Sequence, residues 1–207
     1  AHVRLTEMPL MMVEAGAASR CIAGADICGD TFSLGQLQDG RFVAEPPDGM
    51  GHGNPAALES RQAVELLRMY LDAGYDRAQT LTAVNGMMLL AGQGERFTTV
   101  DLFLLDLWTG KASLDKLGAA GSYLMQAEGL SLLGGDALPL GILENVESGE
   151  KLMQLHQGDT LILLSDGVED AYENRQAMEE AIRDALTLET AQDAANAILT
   201  GAQSGDA

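Results

Sequence analysis

Apolar and polar positions along the chain fall into patterns that change twice. From Asn54 to about Leu90 the apolar residues recur at helical spacing. Ala57, Val64, Leu67 and Leu71 share one face, and Ala78, Leu81, Val84 and Met88 share a second. Asn54 is placed to cap the first helix with Pro55 at its first position, Gly74 ends it, and the next begins near Asp76. The middle is strand-like: Phe97 to Leu107, Ala112 to Leu117, Ser122 to Ala127 and Thr160 to Ser165 are apolar runs between glycine-containing turns. Leu138-Pro139-Leu140-Gly141-Ile142 is apolar but kept irregular by Pro and Gly. Helical spacing then returns, with Met178, Ile182, Ala185 and Leu186 on one face and Ala191, Ala194, Ala195 and Ile198 on another. Near the start, Met11 to Ala18 predicts a first strand. Thr31 to Leu37 and Arg41 to Ala44 flank Asp39-Gly40, a hairpin signal.

Strands and helices are therefore segregated rather than alternating. That predicts an α+β layered fold instead of a doubly wound parallel sheet. No repeat or linker divides the 207 residues, so residues 1–207 are read as one domain. No apolar run approaches the roughly 20 residues of a membrane-spanning helix. The best, Thr98 to Trp108, is interrupted by Asp101 and Asp106. Ala1-His2-Val3-Arg4 lacks the features of a signal peptide, so the expected location is cytoplasmic, with any membrane anchor of the intact protein outside this sequence.

Charge narrows the partners. The chain carries 31 acidic and 12 basic residues, a net charge of -19. Nucleic acid is not expected, because binding it needs clustered Lys and Arg to displace counterions. A phosphorylated protein would also be repelled unless cations neutralise the site locally. Cys21 and Cys28 lack a CxxC spacing and are expected to be small, reduced core residues. His2, His52 and His156 are scattered, which argues against a His-based metal site or nucleophile.

Acidic residues next to glycine are the remaining chemical signal. Gly29-Asp30, Asp48-Gly49 and Asp166-Gly167 fall at expected strand ends or tight turns. Asp166 follows an apolar strand, and a carboxylate leaving the core needs a partner. Hard cations such as Mg²⁺ and Mn²⁺ take oxygen ligands, and a glycine lets the backbone carbonyl approach an ion. Asp-Gly is equally a turn sequence, as Asp39-Gly40 is taken to be. Composition and spacing leave turn and ligand readings evenly open.

Taken in order, Gly29-Asp30-Thr31-Phe32-Ser33, Asp48-Gly49-Met50-Gly51-His52-Gly53 and Ser165-Asp166-Gly167 resemble the metal-dependent (type 2C, PPM) serine/threonine protein phosphatases. Within them the resemblance is to the sporulation branch represented by stage II sporulation protein E. Leu58-Glu59-Ser60, Thr99-Val100-Asp101-Leu102 and Leu138-Pro139-Leu140-Gly141-Ile142 add to it. The resemblance implies a layered β-sandwich flanked by helices, with two Mn²⁺ or Mg²⁺ ions at one end. It implies that Asp48 bridges the ions, that the Gly49 carbonyl and Asp30 serve one of them, and that Asp166 binds the other. Asp48 and Asp166 would then be the catalytic carboxylates, and the ions would lower the pKa of an attacking water. The implied substrate is a phosphoserine on an anti-sigma-factor antagonist, with sigma factor control in sporulation as the outcome. The helices Pro55 to Ala73 and Asp76 to Leu90 match a pair implicated in switching such phosphatases on.

Two departures stand out. Pro46-Pro47 occupies the strand leading to Asp48, so that strand must end early or lie at an edge. The chain also stops at Ser204-Gly205-Asp206-Ala207, where an Asp-Asp-Met-Thr-like last strand would supply another carboxylate. The domain is thus expected to be C-terminally incomplete, with a weak Asp166-side ion and an open sheet edge that favours pairing of two copies as a homo-dimer. A second reading, a non-catalytic regulatory or binding domain of the same fold, draws on that missing carboxylate. Asp30, Asp48 and Asp166 favour the enzyme.

Overall fold

The computed structural model describes residues 9–20, 33–45, 47–48, 54–92, 97–135, 137–146 and 149–202. For 47–48, 54–60 and 91–92 it describes the backbone alone. The expectations for Cys21, Cys28, Asp30, Gly49 and Asp206 lie outside the described residues.

β1 (Ser33–Gln36) and β2 (Phe42–Glu45) form the expected hairpin, with Gly40 at φ +88° in the turn. β3 (Pro47–Asp48) follows, then the helices α1 (Asn54–Asp72) and α2 (Arg77–Gly92). The next strands are β4 (Thr99–Leu105), β5 (Lys111–Leu117), β6 (Ser122–Gln126), β7 (Gly129–Leu133), β8 (Lys151–Gln154) and β9 (Thr160–Leu163). α3 (Asp166–Glu169), α4 (Arg175–Ala185) and α5 (Ala191–Gly201) close the order. One antiparallel sheet runs β1-β2-β4-β5-β8, with β3 also on β4, and the second runs β7-β6-β9.

Alternation along β4 explains the layers. Val100, Leu102 and Leu104 pack with Leu67, Leu81 and Val84 of the first two helices. Phe103 and Leu105 point the other way and meet Leu124 of the second sheet. The far face of that sheet, through Tyr123 and Ile162, is covered by Met178, Ile182 and Ile198 of α4 and α5. The order is helices, sheet, sheet, helices. No helix among the described residues is long and apolar enough to cross a membrane.

Local chemistry sets the helix boundaries. The Gly74 N–H donates to the Leu71 carbonyl and the Tyr75 N–H to the Tyr70 carbonyl, with Gly74 at φ +87°. That is a Schellman ending, and its usual apolar contact is the edge-to-face pair of Tyr70 and Tyr75, 5.1 Å apart. Asp76 then caps α2: its carboxylate accepts from Gln79 N–H at 2.8 Å, and the Gln79 side chain accepts from Asp76 N–H at 3.2 Å.

The structure corrects the chain's beginning and fills its gaps. Residues 11–18 form no strand. Met11 N–H bonds the Leu107 carbonyl, and the segment then lies over the start of α5, where Glu14 accepts from Ala191 N–H at 2.8 Å. Gly16 permits this, since a Cβ there would sit 2.2 Å from the Ala191 carbonyl oxygen. The short strands β7 and β8 and the four-residue α3 gave no clear periodicity; β7 exposes Gly129, Ser131 and the apolar Leu132, and β8 alternates over only four residues.

The register of β3 continues that of β2. Ala44 pairs with Phe103, and three steps on Pro47 pairs with Val100 and Asp48 with Thr99. β2 stops at Glu45 and the two-residue β3 ends at Asp48, which meets the expectation of an early end. Glu45 lies on the same face as Val43, toward α1, and is fully buried. Neither of its carboxylate oxygens makes a well-formed hydrogen bond among the described residues. Burial pushes its pKa up to about 7 from an ordinary 4.5. The Ser33 hydroxyl and the Arg68 charge oppose that rise weakly, and Asp72 adds to it.

Because the folded pKa lies above the unfolded one, this group's contribution is fully present below about pH 4.5 and is lost as pH rises through 7. Ionisation should cost about 3 kcal/mol by pH 8. Glu45→Gln should therefore match the wild type near pH 4 and exceed its stability at pH 8, measured by urea denaturation. Parallel stability curves for the two proteins would show that Glu45 does not titrate in the fold. Leu67, fully buried between α1 and the sheet, gives a second test. Leu67→Asp should cost about 4 kcal/mol or more and lower Tm sharply. An unchanged Tm would mean that this helix face does not pack.

Candidate metal centre

The polar residues gather at one end of the sandwich. Asp48 ends β3 opposite Thr99, the first residue of β4. The preceding Thr98 exchanges two backbone hydrogen bonds with Leu140, at 3.0 and 2.9 Å. That loop is clamped by Asn85 of α2, which is buried. Its Oδ1 accepts from Gly141 N–H at 2.8 Å, and its Nδ2 donates to the Leu143 carbonyl at 2.8 Å. The opposed demands of an N–H and a carbonyl fix the orientation of the amide. The helix pair is thus tied, through the Leu138–Ile142 segment, to the strand that receives Asp48. Arg77 at the start of α2 adds a second tie, pairing with the buried Asp115 of β5 and, at 3.0 Å, with Glu150.

Two residues along β4 from Thr99 stands Asp101, directly opposite Lys116 of β5. The Lys116 ammonium donates to both Asp101 oxygens, at 2.8 and 2.7 Å, and to Ser122 Oγ of β6 at 2.9 Å. Ser122 Oγ in turn donates to Asp101 Oδ2 at 3.0 Å. All three residues are buried. Burial raises the Asp101 carboxyl, while Lys116 and then Ser122 pull it back toward ionisation.

Ser122 pairs with Leu163, the last residue of β9, and the chain then runs through Leu164 and Ser165 into Asp166. This route brings Asp48 and Asp166 to the same end of the sandwich, on different sheets. Asp166 is the first residue of α3 and is exposed. The carboxylate that leaves the core there stands at the surface, where a cation can reach it. Glu169 of the same short helix accepts from Gly121 N–H at 3.1 Å, which ties α3 to the start of β6.

Of the sequence-assigned ligands, Asp166 is described with its side chain and Asp48 through its backbone, whereas Asp30 and Gly49 lie outside the described residues. Among the described residues no three His, Cys, Asp or Glu side chains converge on a cation site. The assigned donors are all oxygens, as a hard divalent cation requires. The Asp101–Lys116–Ser122 cluster escaped the sequence reading, which used Asp101 as a break in the Thr98–Trp108 run and within the Thr99–Leu102 match. Its signal was available: opposite charges at inward positions of two apolar runs, Thr98 to Leu107 and Ala112 to Leu117. Pairing them required the register.

Comparison with known proteins agrees with this architecture. Residues 38–207 match the family model described as stage II sporulation protein E (SpoIIE). Stage II sporulation protein E of Priestia megaterium is 29% identical over 167 residues, covering 81% of this chain and 28% of that protein. The chain thus spans less than a third of that relative. The solved structure of the PP2C phosphatase domain, with a fragment of the regulatory domain, of SpoIIE from Bacillus subtilis superposes with a TM-score of 0.83. It is 26% identical, over 96% of this chain and 60% of that one. RsbX, solved in complex with magnesium, shares the fold at a TM-score of 0.67 and 19% identity, over 88% of this chain and 84% of its own. A PP2C sandwich with Asp48 and Asp166 at one end, matched from residue 38 onward, places the chain in the stage II sporulation protein E family.

Proposed function

We propose that this domain is a Mn²⁺- or Mg²⁺-dependent phosphatase that removes phosphate from a phosphoserine on a regulatory protein. The observation that carries the reading is the placement of the Asp48 strand end and of Asp166 at the same end of a PP2C fold. Asp48 and Asp166 would hold one cation, and Asp48, the Gly49 carbonyl and Asp30 its neighbour. When bound, such ions lower the pKa of a water and neutralise phosphoryl oxygens.

The protein's own part is positional. The strand end at Asp48 is held by Thr99, Thr98 and the Asn85-clamped loop, and α3 presents Asp166 to solvent from the neighbouring sheet. With a net charge of -19, the chain needs local positive charge at this end to accept a phosphoprotein. The family supports a finer reading. The substrate would be a phosphorylated anti-sigma-factor antagonist, and dephosphorylation would release sigma factor activity during sporulation.

A phosphoserine peptide assay tests the chemistry. Turnover should require Mn²⁺ or Mg²⁺, vanish on chelation with EDTA and return when metal is restored. Turnover that persists in EDTA would overturn the reading. Asp48→Asn should remove turnover while leaving Tm near the wild-type value. Losing a direct ligand should cost more than the roughly 10- to 100-fold typical of losing a ligand's hydrogen-bond partner. Near-wild-type rates in Asp48→Asn would remove Asp48 from the site.

A further inference from the structure

The buried Asp101, Lys116 and Ser122 take no part in the ligand set above, yet they lie at its end of the inter-sheet core. Stability alone does not account for them. Desolvating an ion pair is costly, and apolar replacements of the same volume are often neutral or stabilising. What the cluster supplies is direction. The two sheets otherwise meet through apolar side chains such as Phe103, Leu105, Leu114 and Leu124, whose contacts tolerate small slides. The ammonium, by contrast, places all three of its N–H groups on three acceptors at 2.7–2.9 Å, two on β4 and one on β6. Gly135 closes over the Lys116 stem, since a Cβ there would fall 2.7 Å from Lys116 Cβ. The lysine has little room to move.

Each strand in this network leads to one of the metal carboxylates. Asp101 is two residues from Thr99, which pairs with Asp48. Ser122 pairs with Leu163, three residues before Asp166, and its neighbour Gly121 bonds Glu169 within α3. We propose that Lys116 is a positioning residue: with Asp101 and Ser122 it fixes the separation of the Asp48 and Asp166 backbones across the two sheets. The inference rests on the metal-centre reading. Ligand groups must be held within roughly 0.5 Å for productive geometry, a tolerance that sliding apolar layers do not guarantee.

Mn²⁺ binding, followed by the electron paramagnetic resonance signal of free Mn²⁺, separates this role from a structural one. Ser122→Ala is the deciding variant, because it removes the inter-sheet link and leaves the Lys116–Asp101 pair in place. Lys116→Met removes the whole network. Leu107→Ala, in the core just past the opposite end of β4, is the control for lost stability. Ser122→Ala and Lys116→Met should raise the Kd for Mn²⁺ by roughly 10- to 100-fold, and lower kcat on a phosphoserine peptide with KM little changed. Leu107→Ala should bind Mn²⁺ as the wild type does. If Ser122→Ala binds Mn²⁺ with wild-type affinity, or weakens no more than the control, the positioning role is wrong and the metal centre stands. If the wild type itself binds no Mn²⁺, the metal-centre reading fails and takes this inference with it.

Discussion

Strand β4 is covered on both faces and paired along both edges, so every polar group on it must be satisfied inside the protein. Much of the structure follows from that constraint. Alternate residues choose between the helix layer and the second sheet, which puts Val100, Leu102 and Leu104 under the helices and Phe103 and Leu105 in the sandwich. Asp101 shares the sandwich face and is shut off from solvent. Burial raises its carboxyl, and Lys116 opposite and Ser122 from the other sheet pull it back toward the ionised form. The same strand, at its first residue, receives Asp48. One element therefore organises the core, the buried charges and the candidate metal centre.

The edge opposite β5 shows how the sheet gives way to chemistry. β2 and β3 share a single register along β4 with a break between them, and Pro47, which has no N–H to give a ladder, opens the two-residue β3. Glu45, just before the break, is buried without a well-formed hydrogen bond and is held near neutral pKa. Burial favours the neutral, protonated carboxyl in that position, and ionising it costs stability. Glu45 and the strand end of the proposed metal centre are thus only three residues apart.

Loops at this end are held by side-chain amides and glycines instead of sheet ladders. Asn85 secures the Gly141–Leu143 turn against α2, and that turn supports Thr98 through Leu140. Arg77 anchors the start of α2 to the buried Asp115. Both ties connect the helix pair to the sheet that carries Asp48, so displacement of the helices would be felt at that strand end.

Periodicity alone determined the parts of this protein that local physics dictates. The helical faces around Leu67 and Val84, the Gly74 stop, the Asp39-Gly40 hairpin and the buried character of Thr99–Leu105 were all legible. The Asp-Gly motifs named the family and the ligand candidates, with Asp30 and Gly49 beyond what the structure describes. Short strands such as β7 and β8 were not legible, because four or five residues with mixed burial carry too little pattern. The segment at Met11 reads as a strand, yet it lies on the start of α5 because Glu14 and Gly16 fit there. Which aspartate would be buried and which exposed was decided only by tertiary structure. Asp101 finds Lys116 through strand register, and Asp166 is turned outward by α3. Sequence spacing specifies which face a residue occupies; the partner it meets across that face depends on how the sheets register and stack.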